Sequence, residues 1–159
     1  MWLVGCVICL ALYPLSFSGR ICLTQDGSVQ VYNAFNQIKE EYHPEQIESV
    51  TFDTYLQSNN YRRRSIGYYF RDRDWKCYVN ITVLGGKEYS FVQGNFRYPM
   101  DPLESMMQLK SQYPPEILQF EGIEHLESVA ADHDYTKEET KMLYELYAVP
   151  EAEYPWYIQ

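Results

Sequence analysis

Beyond residue 18 the chain has no uncharged apolar run approaching the ~20 residues that a bilayer crossing requires. Cysteine is scarce: Cys6 and Cys9 fall in the N-terminal run, which leaves Cys22 and Cys77. Histidine is limited to His43, His125 and His133. No Gly-x-Ser-x-Gly elbow raises a serine nucleophile. Gly85-Gly86 lacks the Lys-Ser/Thr that completes a phosphate loop. Basic charge nearly disappears from the last third. Residues 101–159 carry three Lys/Arg against thirteen Asp/Glu, whereas residues 1–100 carry ten against nine. Phosphate would be repelled there, which argues against nucleic acid as a partner. These absences disfavour an enzyme and point to no cofactor.

What is present begins with the leader. Residues 1–18 are uncharged and apolar, carry small residues at Ser16 and Ser18, and meet Gly19-Arg20. This fits a secretory signal peptide cleaved after Ser18, although a basic n-region is missing. Retention as a membrane anchor is the alternative. Pro14 interrupts the run and its length falls short of a span. Cleavage would leave 141 of the 159 residues. That length suits one secreted, soluble domain over 19–148, with an acidic aromatic tail over 149–159. In an oxidising compartment Cys22 and Cys77 are expected to form one disulfide, closing 54 intervening residues. A loop of that size gives roughly 4 kcal/mol in the chain-entropy model.

Periodicity predicts an α+β fold. Ser28 can cap a helix whose apolar residues, Val31, Phe35, Ile38 and Tyr42, recur at helical spacing, and His43-Pro44 should end it. From Glu48 the period falls to two. Val50, Phe52 and Thr54 form one set; Ile66, Tyr68 and Phe70 the next; Cys77, Val79, Ile81 and Val83 the third; Tyr89 and Phe91 the last. Ser58-Asn59-Asn60, Asp72-Arg73-Asp74 and Gly85-Gly86 supply the turns of a four-stranded antiparallel meander, which the N-terminal helix would cover. Asp101-Pro102-Leu103-Glu104 and Thr136-Lys137-Glu138-Glu139 each open a C-terminal helix. Residues 115–126 suggest a second short helix, and Glu127 to Tyr135 a loop.

One helix followed by a four-stranded meander resembles the cystatin-like arrangement, over residues 26–97 and in topology only. The resemblance implies a sheet wrapped on a helix. The Gln-x-Val-x-Gly loop of papain-inhibiting cystatins is missing, and Gln93-Gly94 lies in a different hairpin. No inhibitory residue carries over.

Several residues are candidates for function. Asn80-Ile81-Thr82 is an N-glycosylation acceptor whose Asn80 alternates away from the apolar face. Arg62, Arg63 and Arg64, with Arg71 and Arg73 across a hairpin, form the basic cluster. It would meet a sulfated glycan or acidic protein, or be neutralised by the acidic third. His125, Glu127, Asp132, His133 and Asp134 are close in sequence but lack the spacing of a metal-ligand pair. Tyr135, Tyr144 and Tyr154 have acidic neighbours and are sulfation candidates in a secreted chain. The segment Val149 to Tyr154 resembles the acidic aromatic tails of leech thrombin inhibitors, without that family's cysteine framework. Tyr154, Trp156 and Tyr157 are expected to anchor a partner with a basic surface.

Together these features describe a secreted, disulfide-bonded glycoprotein that binds an extracellular or cell-surface protein. The alternative is an extracellular protease inhibitor or antagonist. An extracellular hydrolase ranks third. No stable membrane insertion is expected once the leader is removed.

Overall fold

The computed structural model describes residues 20–24, 26–33, 35–62, 69–92 and 101–154. The expected leader lies outside them. The chain divides into two compact units, Met1–Ile47 and Glu48–Gln159.

The first unit contains a three-stranded antiparallel sheet of β1 (Ile21–Leu23), β2 (Val29–Tyr32) and β3 (Ile38–Tyr42), in that order. It stands where the N-terminal helix was expected, so that helix is corrected to strands. Val31 to Phe35 and Ile38 to Tyr42 are each steps of four, and an even step satisfies a strand period as well as a helical one. Turn chemistry decides between them. Asn33 Oδ1 accepts from the backbone N–H of Phe35 (2.9 Å) and of Gln37 (3.0 Å), and Asn36 sits at φ 61°. Gly27 at φ 83° turns the chain between β1 and β2. Phe35 and Ile38 are exposed, unlike the buried helix face foreseen for them. His43 ends no helix. It precedes a 3-10 turn over Pro44–Gln46, and its N–H donates to Gln46 Oε1 at 3.0 Å.

The second unit is a four-stranded mixed sheet in the order β6-β5-β4-β7. Its strands are β4 (Ile47–Arg62), β5 (Tyr69–Val83), β6 (Lys87–Val92) and β7 (Leu118–Phe120). Only six residues join β4 to β5, too few for a parallel crossover, so this neighbouring pair is antiparallel. β6 runs antiparallel to β5, from Val83↔Lys87 to Tyr78↔Val92. β7 runs parallel to β4, with Val50↔Leu118 and Phe52↔Phe120. The expected meander is therefore corrected at both ends. Ser58-Asn59-Asn60 and Asp72-Arg73-Asp74 lie within β4 and β5, because a paired neighbour overrides weak local strand preference. The position of a fourth antiparallel strand is taken by β7, from a region read as helical. The cystatin-like arrangement, with its covering N-terminal helix, is not the fold.

Three helices cover one face of this sheet: α1 (Pro102–Ser111), α2 (Leu126–Asp132) and α3 (Lys137–Leu146). α2 packs on β5, and both α1 and α2 pack on α3. α1 and α3 begin at the caps read from sequence. Asp101 Oδ1 accepts from Leu103 N–H at 2.8 Å, and Thr136 and Glu139 close a reciprocal capping box. α2 was read as loop because no side chain caps it. Burial of Leu126 and Val129 holds it instead. The strands contribute Val50, Phe52, Cys77, Val79, Ile81 and Val83, all at 0% exposure. Lys110 completes the helix layer. Its Nζ donates to the carbonyls of Glu145 (2.7 Å) and Leu146 (2.8 Å) at the end of α3 and lies over the Phe120 ring.

The passage from β7 to α2 crosses β4 closely. Glu121 N–H donates to Phe52 O at 2.9 Å, and Thr54 Oγ1 donates to Gly122 O at 3.0 Å. Gly122 is left-handed at φ 66°, and a Cβ there would lie 2.2 Å from Thr54 Oγ1 and 2.7 Å from Asp53 Oδ1. Gly122→Ala is expected to cost about 2 kcal/mol or more, from left-handed strain plus this overlap. A fall in the urea midpoint without a change in its slope would show it.

The thiol of Cys77 meets the hydroxyl of Tyr147 in the core, and Tyr147 donates to Asp53 O at 2.7 Å. Cys22 is half-buried in β1 of the first unit and Cys77 is buried in β5 of the second, and both carry thiols. The alternation that placed Cys77 with Val79 and Ile81 also aims its sulfur under the helices. Burial, aided by the nearby Asp53 charge and partly offset by Tyr147, pushes this thiol up to about 12 from 9.0. Burial, with Cys77 and Asp53 beside it, also raises Tyr147. Tyr78 is raised to about 12 from 10.0, first by the hydrogen bond it donates to Asp53 and then by burial. The folded state therefore keeps protons that the unfolded state releases, and stability falls as pH rises above 9. Burial of Lys110 lowers its ammonium and works the opposite way, one group against five, since burial raises Tyr55 and Tyr144 as well. The urea midpoint should fall as pH rises from 9 toward 12. In Cys77→Ala the fall should begin about one pH unit later, because the remaining groups are tyrosines.

Candidate functional site

The residues with the most chemistry gather where the middle of β5 meets both ends of α2. Gly122 sets the entry. A 3-10 turn over Ile123–His125, with Glu124 exposed, leads into α2, which turns Leu126 and Val129 inward and Glu127 and Asp132 outward. His125 stacks on the Trp75 ring at 3.9 Å between centroids and 24° between planes. Its Nε2 lies 3.5 Å from the Glu124 carboxylate.

The far end of α2 grips the same tryptophan through its backbone. Asp132 Oδ2 accepts from Trp75 N–H at 2.6 Å, and His133 Nε2 meets Trp75 O at 3.1 Å. Two side chains thus satisfy both peptide groups of Trp75. Among the described residues the ladder with β6 runs from Val83↔Lys87 to Tyr78↔Val92, and the clamp holds the Trp75 backbone beyond it. The His133 ring stacks on Tyr135 at 5.4 Å. Asp134, at φ 51°, turns the chain into the α3 cap. Thr136 hydrogen bonds hold the Glu139 carboxyl below its ordinary value.

Charge defines the face. Glu121, Glu124, Glu127, Asp132, Asp134 and Glu138 are exposed, and Lys137 is the one lysine among them in sequence. The other two lysines of residues 101–159 turn elsewhere. Lys110 serves α3, and Lys141 lies 3.8 Å from Glu145 and 3.9 Å from Glu151. The arrangement is acceptor-rich beside flat aromatic and imidazole rings. It suits guanidinium or ammonium groups. Among the described residues no group of three His, Cys, Asp or Glu could hold a metal ion. Ser28 Oγ lies 3.3 Å from His43 Nδ1, but Ser28 is 1% exposed and its hydroxyl also donates to Asp26 Oδ2 at 3.1 Å. A buried hydroxyl engaged in this way cannot meet a substrate. No helix among the described residues is long and apolar enough to cross a membrane.

The residues singled out from sequence fall in different places. Asn80 lies on the side of β5 opposite the helices, half-exposed, and Ser90 Oγ donates to its Oδ1 at 2.6 Å. Arg62 ends β4, while Arg71 and Arg73 lie near the start of β5; the antiparallel pairing brings these segments to one end of the sheet. Arg73 is exposed. Arg63, Arg64, Trp156 and Tyr157 lie outside the described residues. Tyr154, expected to face a partner, is 2% exposed, with its ring edge on Tyr144 at 5.2 Å. Neither of these tyrosines is presented for sulfation. The start of the tail is bound to α3, with Val149 N–H donating to Tyr144 O at 3.0 Å. Trp75 was missed. Its partners lie 57 and 58 positions away in sequence, so no local pattern could announce them.

Tyr154→Ala should therefore destabilise the fold by about 3 kcal/mol, as large-to-small core changes do, while exposed Glu153→Ala should cost under about 0.5 kcal/mol. Chemical denaturation of the two variants checks this. Searches of protein-family models, curated proteins and solved structures found no match for this chain.

Proposed function

We propose that the chain is a secreted glycoprotein that acts by protein–protein contact, docking a basic segment of an extracellular partner on the acidic face of α2. The leader-like N-terminus and the Asn80 acceptor support the compartment. The observation that carries the docking reading is the set of exposed carboxylates along residues 121–138, the same segment that stacks His125 on Trp75. Carboxylates in such numbers speed encounter with a cationic partner, and the stacked rings offer flat area that loses little side-chain entropy on contact. The clamp on Trp75 holds this surface in one conformation before a partner arrives, which lowers the ordering penalty of binding.

A Lys/Arg-rich peptide, titrated against the full chain collected from the medium of a secretory host, is the direct test. Binding should weaken as salt rises. The combined Glu124→Gln, Glu127→Gln and Asp134→Asn variant should bind about tenfold more weakly, from three lost charge contacts of modest individual size. Arg73→Ala should bind as the parent does. Equal affinity of the triple variant and the parent would remove the α2 face from the contact. Absence of the chain from the medium would remove the secretory assignment.

A further inference from the structure

We infer that an N-linked glycan on Asn80 lies along the open face of the second unit's sheet and packs its first saccharides against Tyr78 and Tyr55. This rests on the glycoprotein reading above. Alternation along β5 puts Tyr78, Asn80 and Thr82 on one side, away from the helices that bury Cys77, Val79 and Ile81. Cross-strand pairing adds Ser90 opposite Asn80 and Glu88 opposite Thr82. β4 contributes Asp53 and Tyr55. Tyr78 donates to Asp53 Oδ2, and the Tyr55 and Tyr78 rings meet edge to face at 5.3 Å.

The acceptor thus sits in the middle of a half-exposed platform of two tyrosines, hydroxyls and a carboxylate, rather than on a loop. Ser90 takes the Oδ1 side of the Asn80 amide. Nδ2, the atom that bears a glycan, is left out of that contact, and its direction is set by it. Tyr78 is one strand repeat away, about 6.6 Å along β5, which is within reach of a saccharide attached at Asn80. The apolar face of a pyranose suits an aromatic ring, and its hydroxyls suit Asp53, Thr82 and Ser90. A glycan lying there would cover this side of the sheet. The acidic face of α2, on the helix-bearing side, would stay open to proteins.

Hydroxyl-radical footprinting, read by mass spectrometry on the full secreted chain, tests this in three forms: glycosylated, enzymatically deglycosylated, and Asn80→Gln. Oxidation of Tyr78 and Tyr55 should be severalfold lower in the glycosylated form, with Trp75 unchanged. The enzymatically deglycosylated arm carries the comparison if Asn80→Gln is not secreted. A glycan present by mass with equal oxidation in all forms would overturn the inference and leave the glycoprotein reading intact. A secreted chain with no glycan mass at Asn80 would overturn both.

Discussion

The helix layer can seal its sheet only if the chain leaving β7 passes directly over β4, and Gly122 is the residue that permits that passage. A side chain there would meet Thr54 and Asp53, so the carbonyl at 122 could not accept the Thr54 hydroxyl. Everything downstream takes its position from this crossing. The 3-10 turn, α2, the Asp132–His133 clamp and the α3 cap follow in an unbroken run of short connections. The core beneath them consists of strand residues whose side chains point toward the helices.

Polar groups near that core are shared between structure and surface. The Asp53 carboxylate accepts from Tyr78 on the open face, while its backbone carbonyl accepts from Tyr147 under the helices. One residue therefore ties the two sides of β4 together. Tyr147 in turn meets Cys77, whose burial keeps a reactive side-chain type protonated and inert. The abundance of tyrosine follows from the same need. A tyrosine fills apolar volume and still brings a hydroxyl to a carbonyl or carboxylate at the layer boundary.

The proposed division of surfaces follows from the geometry of a one-sided sheet. Helices on one face leave the other to strand side chains alone. Alternation forces Asn80 onto that bare face and the carboxylates of α2 onto the covered side. Carbohydrate and protein would then occupy opposite sides of the second unit's sheet, without competing for area.

Local signals in the sequence were sufficient wherever the physics is local. Asp101-Pro102 and the Thr136–Glu139 box place α1 and α3 because a cap satisfies donors within three residues of itself. The alternation at Val50–Thr54, Cys77–Val83 and Tyr89–Phe91 placed the buried sheet face and turned Asn80 outward. The spacing of Val31, Phe35, Ile38 and Tyr42 was ambiguous, since steps of four serve both periods, and the Asn33–Asn36 turn settled it. Tertiary structure alone decided the rest. β7 is a strand because Leu118 and Phe120 find β4; α2 is a helix because Leu126 and Val129 find the core. Trp75 joins His125, Asp132 and His133 only when β5 and α2 pack, and Tyr154 is core only because α3 lies under it. Such contacts join residues tens of positions apart, and a local pattern carries no information about a partner that only packing supplies.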